Sequence, residues 1–81
     1  NSLIADGCII EGQVEKSIIF RGVNIGKGAK VSNSIIMQDS VIQVGCELDH
    51  VVLDKEVIVR ESSRLIGDFS HPMIIAKGEV V

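Results

Sequence analysis

The chain has 81 residues and a net charge of −3; 46% of its residues are apolar, yet Trp and Tyr are absent and Phe20 and Phe69 are its only aromatics. A single domain of this size buries roughly 60–65% of the surface its unfolded chain exposes, so it is expected to rest against neighbours. Scattered Lys and Arg without interleaved aromatics exclude a nucleic-acid surface, and apolar runs of only a few residues exclude a membrane-spanning segment.

In chain order, the first stretch with a clear pattern begins at Ser17-Ile18-Ile19. It returns as Ser34-Ile35-Ile36 and as Val51-Val52-Leu53, an offset of 17 residues. Val14 likewise becomes Val31, Leu48 and Leu65, and Ile25 becomes Ile42 and Val59. A fixed period of aliphatic positions is the mark of a solenoid. The period divides into sub-units of six, six and five: Ile19 to Asn24, Ile25 to Lys30, Val31 to Ile35. Extrapolated backwards, an earlier coil opens at Ser2, Cys8 and Val14. Residues four places after each opening, such as Val23, Ala29, Cys46, Ile18, Ile35 and Val52, are assigned to corners or to the interior.

Period six does not give the three-and-four spacing of a helix, and no hairpin turn of the Asn-Gly kind separates the apolar stretches. Short strands separated by bends remain, three to a coil, stacked in parallel about 4.8 Å apart. Identical aliphatics then form internal ladders such as Ile19-Ile36-Leu53, each fully buried side chain contributing roughly 1.5–3 kcal/mol. After Gly67 the period fails: Asp68 to Pro72 is turn chemistry, and Met73 to Val81 reads as one or two closing strands. The expected architecture is all-β, a parallel β-helix of about four coils over residues 1–69 with capping strands over 70–81. The opening residues carry no cap, which reads as a C-terminal piece of a longer polypeptide or a trimmed tag.

Sub-units of the form aliphatic-x-x-x-small-x resemble the hexapeptide repeats of left-handed parallel β-helices. The hand comes from that resemblance alone, since parallel crossovers in general are right-handed. Gly7 to Gly12, Val14 to Val23, Ser34-Ile35-Ile36-Met37, Val52-Leu53-Asp54-Lys55 and Ile74 to Val81 resemble the C-terminal domain of bacterial glucose-1-phosphate adenylyltransferases. The resemblance covers nearly the whole chain. It implies a parent enzyme that joins ATP and glucose 1-phosphate into ADP-glucose for glycogen synthesis. It also implies a nucleotidyltransferase domain on the N-terminal side and sister subunits as partners, the β-helix serving subunit contacts and allosteric regulation. Val59-Arg60-Glu61-Ser62 stands where catalytic-type chains read aliphatic-Gly-x-Gly, and Ile42-Gln43-Val44-Gly45 lacks the first glycine. Both departures lean toward the regulatory-type subunit found in some bacteria.

No catalytic, metal or cofactor-binding residue is assigned. Gly26-Lys27-Gly28 lacks the strand–loop–helix setting of a phosphate loop. Cys8 and Cys46 fall on inward positions about two coil rises apart, ~9.6 Å along the axis, too far for a disulfide. As small buried thiols they fit a cytoplasmic protein. Cys8 is expected to stack toward Ile25 and Ile42. His50 lies on the outward track Lys16-Asn33-His50-Gly67, and in hexapeptide acyltransferases a histidine at a subunit groove is the general base. That alternative needs a groove, often with an inserted loop, and no coil is expected to contain an insertion. His71 precedes Pro72 in a turn, and two histidines fall short of the three that a β-helix zinc site needs. Arg21, Lys27, Lys30, Arg60 and Arg64 spread over different faces, as solvated charges do. Phe20 and Met37 on one outward track, and Val41 and Ile58 on another, form two apolar stripes and are the candidate interface residues.

Overall fold

The computed structural model describes residues 2–81. All regular structure among them is strand: β1 Leu3–Ile4, β2 Ile9–Ile10, β3 Gln13–Glu15, β4 Ile18–Ile19, β5 Asn24–Ile25, β6 Lys30–Ser32, β7 Ile35–Ile36, β8 Val41–Ile42, β9 Glu47–Asp49, β10 Val51–Leu53, β11 Ile58–Val59, β12 Arg64–Ile66 and β13 Met73–Ile75. Every third strand is a neighbour. One sheet runs β1-β4-β7-β10-β13, the second β2-β5-β8-β11 and the third β3-β6-β9-β12, all paired in parallel. The chain is a three-sided parallel β-solenoid of four coils, consistent with the left-handed β-helix that the hexapeptide pattern implies. Met73 to Val81 adds the first two sides of a fifth coil, through β13 on β10 and a bridge from Val80 to Ile58.

Strands of two or three residues are possible because those within each sheet are held on both flanks by their copies one coil away. Inside, Ile19, Ile36 and Leu53 stack in one column, Ile25, Ile42 and Val59 in a second, Val31 and Leu48 in a third; all are buried. Small residues fill the corners between columns: Val23, Ser40 and Val57 at the first, Ala29 and Cys46 at the second, Ser17, Ser34 and Val51 at the third.

Those corners revise the sequence reading at four points. The five-residue side places its inward corner three residues after the opening, not four. Ser17, Ser34 and Val51 therefore point in, and Ile18, Ile35 and Val52, expected inside, point out. The first coil is shorter than the rest: Leu3 pairs with Ile18 and Ile9 with Asn24, an offset of 15, while Gln13 pairs with Lys30 at 17. Two residues are missing between Ile10 and Val14, so this coil opens at Ile4, Ile10 and Val14, not at Ser2 and Cys8. Gly12 permits the contraction, since a Cβ there would run into the carbonyl oxygens of Ala29 and Gly26. Cys8 consequently stacks under Val23, not under Ile25; both cysteines are free thiols. Finally, the period does not end at Gly67. Val51 faces Met73, 22 residues on, so five residues (68–72) are inserted at one corner and the register resumes beyond them. The absence of any insertion was the wrong expectation.

Buried polar groups close on themselves. The Ser17 hydroxyl donates to the Glu15 carbonyl (2.8 Å) and accepts the Ser34 N–H (3.1 Å). One coil on, the Ser34 hydroxyl donates to the Ser32 carbonyl (2.7 Å) and accepts the Val51 N–H (3.2 Å). Ser2 begins the series by accepting the Ser17 N–H. At another corner Ser40 donates to the Asp54 carbonyl (2.9 Å) and accepts the Val57 N–H, while the Cys46 thiol donates to the Arg60 carbonyl. The serine series stops at Val51 for a visible reason. The next coil arrives through the inserted turn, and the Met73 N–H bonds the His50 carbonyl instead (3.0 Å).

Each corner of regular length also turns on a left-handed residue, whereas neither the contracted corner at Gly12 nor the 68–72 turn contains one. Glycine supplies it at Gly22, Gly28 and Gly45, but Lys16, Asn33, Asp39, His50, Glu56 and Ser62 hold φ values of 49–62° with a side chain present. Ser62 occupies the same corner row as Gly28 and Gly45, is exposed, and its hydroxyl has no bond to lose. Ser62→Gly should therefore relieve a left-handed penalty of about 1–2 kcal/mol against an entropic cost of roughly 0.5–1 kcal/mol. The expected net is a modest gain, read as a higher midpoint in urea; a lower midpoint would refute it.

Candidate functional site: an apolar outer face

The three outer faces differ sharply. The third sheet shows Gln13, Lys30, Glu47 and Arg64 in one row and Glu15, Ser32, Asp49 and Ile66 in the next, with an exposed Arg64–Glu47 contact of 3.4 Å. This is a solvated face. The second shows a mixed row of Ile9, Asn24, Val41, Ile58 and Val80. The first sheet is different in kind. Leu3, Ile18, Ile35, Val52 and Ile74 stand in register across all five of its strands, and every one points outward. Leu3 and Ile74 at the two ends are 70% and 71% exposed. Beside this row lies a second of Ala5, Phe20, Met37, Asp54 and Ala76, fixed by N–H bonds to the neighbouring coil from Ala5, Phe20, Met37 and Asp54.

Of the four interface candidates, Phe20 and Met37 border this aliphatic row, and Val41 and Ile58 pair directly on the second face. They lie on two adjacent sides of the prism. The larger feature, the five-strand aliphatic row, was missed because three of its members, Ile18, Ile35 and Val52, were assigned to corners or to the interior. The signal was present: three of the coils carry two adjacent aliphatics (Ile18-Ile19, Ile35-Ile36, Val52-Leu53), and a strand can turn only one of two neighbours inward.

His50 sits at a left-handed corner, partly buried, with Nδ1 2.8 Å from Asp49 Oδ1; Asn33 Nδ2 donates to the same oxygen at 3.1 Å. The inserted turn lies next to it. It is held by reciprocal backbone bonds between Asp68 and His71 (3.1 Å each) and by Asp68 Oδ1 accepting the Ser70 N–H. His71 meets the Ser70 hydroxyl, not His50. Among the described residues no three His, Cys, Asp or Glu side chains are grouped to hold a metal. Arg21, Lys27, Lys30, Arg60 and Arg64 are all exposed and do not converge.

Repeating sides of hexapeptide length around a packed aliphatic interior define a hexapeptide β-helix, and its outer walls differ in polarity. The chain belongs to the GlmU-like, C-terminal hexapeptide family, whose pattern matches residues 1–71. It is 44% identical over 80 residues to glycogen biosynthesis protein GlgD of Bacillus subtilis (strain 168), a match taking in 99% of this chain and 23% of that protein. Glucose-1-phosphate adenylyltransferase of Clostridium perfringens (strain SM101 / Type A) is 38% identical over 81 residues, 100% of this chain and 21% of the relative. The same-named protein of Acetivibrio thermocellus is 38% identical over 68 residues, 83% of this chain and 16% of the relative. The chain thus spans about a fifth of the length of the curated relatives it matches.

Proposed function

We propose that this β-helix is a non-catalytic assembly and regulatory domain of a glucose-1-phosphate adenylyltransferase-type protein of glycogen biosynthesis, acting in the cytoplasm. Matches that take in 99–100% of this chain and 21–23% of proteins bearing those names support the pathway. The outward aliphatic row on five consecutive strands carries the mechanism. Five strands about 4.8 Å apart and one side wide give a patch on the order of 400 Å². Counted on both partners that is roughly 800 Å², within the range of inter-domain contacts in one chain and about half of a standard protein–protein interface. Its occupant is therefore the remainder of the parent chain, with sister subunits meeting other surfaces. Ser62 in a corner row that otherwise carries glycine, together with Gln43 and Arg60, favours the regulatory-type subunit.

The test uses the full-length protein, assayed for ADP-glucose formation from ATP and glucose 1-phosphate, alone and mixed with a catalytic-type subunit. The expected result is activity or altered activity of the mixture. It is lost or reduced at least about tenfold in Ile35→Asp, which places a charge at the centre of the apolar row, while β-sheet content is retained. A wild-type protein that neither forms ADP-glucose nor changes the partner's rate would overturn the proposal. So would Ile35→Asp with unchanged activity and unchanged resistance to limited proteolysis.

A further inference from the structure

The outer row that follows the second sheet is broken once. Glu11, Gly26, Gln43 and Arg60 stand in register on successive coils, each N–H bonding the next coil. Gly26 leaves a gap in that row, and a Cβ there would run into the Gln43 and Val44 backbone. Gln43 does not fill the gap, because its Oε1 accepts the Glu61 N–H one coil on (3.0 Å). The result is a surface groove of about 410 Å³, near the small end of ligand sites. Ile9, Val41 and Val44 supply its apolar wall, with Asn24 in the same row as Ile9 and Val41. Glu11 and Glu61 stand toward its two ends, and neither has an ion-pair partner among the described residues. No Lys, Arg or His among the described residues lines the groove. Lys27 sits at the corner beside it, and Arg60 turns its Nε to the Val81 carbonyl (3.3 Å).

The geometry points to one occupant, a linear aliphatic polyamine: a flexible apolar chain with a cation at each end. Glu11 and Glu61 belong to the first and fourth coils, three coil rises or ~14 Å apart along the axis. A single cation cannot reach both, whereas two cations on one chain can. Spermidine, extended, spans roughly 11 Å between its terminal nitrogens. A charge-assisted hydrogen bond of about 2.8 Å at each end closes the remainder. Its methylenes cover Ile9, Val41 and Val44, and Asn24 supplies an acceptor for the middle nitrogen. A peptide fits worse. Strands β2, β5, β8 and β11 pair with one another in sequence, so the floor offers no free backbone groups to an extended segment. An anion is repelled by both carboxylates. The groove lies on a different face from the aliphatic row, so this inference stands or falls independently of the proposed function.

Titration of spermidine into the full-length protein, followed by NMR of labelled Ile and Val methyls, tests the assignment. The Ile9, Val41 and Val44 signals are expected to move together and saturate. A dissociation constant on the order of 1 mM at low salt is the range open to a few exposed charge contacts. Binding should weaken at least about threefold at about 0.15 M salt, where exposed charges are screened. Glu11→Gln combined with Glu61→Gln should weaken it at least about fivefold. Glu15→Gln combined with Glu56→Gln makes the same charge change on other surfaces and should leave it within about twofold. The shorter diamine putrescine cannot span both carboxylates and should bind at least about threefold more weakly. Methyl signals unmoved at about 10 mM spermidine would overturn the inference. So would an equal loss in the control pair, equal binding of putrescine, or binding that ignores salt.

Discussion

Ile36→Ala is expected to cost about 2–5 kcal/mol, a large share of the 5–15 kcal/mol that folds a typical domain. Ile36 is fully buried between Ile19 and Leu53 in the central column. A globule can slump into a cavity; a stacked coil has less freedom, because the backbones above and below are pinned by hydrogen bonds a strand spacing away. The loss should therefore fall in the upper half of that range. Urea unfolding of the full-length protein, followed through its β-helix signal, reads it directly. A shift below about 1 kcal/mol would mean that the column collapses and that packing here is loose. An outward aliphatic on the solvated third sheet supplies the control: Ile66→Ala removes comparable bulk at a position 42% exposed and should leave this transition nearly unmoved.

Ser34→Ala is expected to be the second large loss, although it deletes one oxygen. That oxygen serves two coils. It donates to the Ser32 carbonyl and accepts the Val51 N–H, and Ser34 is buried. Leaving buried partners unpaired costs about 1–3 kcal/mol each, against roughly 1 kcal/mol or less for an exposed hydroxyl. Ser34→Thr keeps the oxygen and should recover most of the difference if the corner tolerates one methyl. Equal stability of Ser34→Ala and wild type would show that a water replaces the hydroxyl.

How much of this was legible beforehand divides by physical cause. Inward columns were readable because one aliphatic every coil leaves a regular trace: Ile19, Ile25, Val31 and their successors were assigned as the structure has them. Corners were not, because a corner can gain or lose residues without disturbing the columns. The contraction before Val14 left Ser2 and Cys8 as false openings, and the 68–72 insertion hid the fact that Met73 and Ile75 rejoin β10. The apolar wall was lost to the same cause. Counting four from Val31 reaches Ile35, whereas the five-residue side turns inward at Ser34, a polar residue that looks out of place until its two hydrogen bonds are seen. Phe69 illustrates what sequence does not reveal at all. It is one of two aromatics, yet it stands 89% exposed on the inserted turn.

The hydrogen bonds between coils all run along one direction, the stacking axis, and this gives the domain mechanical character. A pull along that axis loads the coils in series, so they peel one after another from an end. A sideways push loads every row in parallel and must break them together. The body is consequently stiff in bending and weak only at its tips. A displacement imposed on one end of such a post reaches the other with little attenuation, which suits a part placed between moving neighbours.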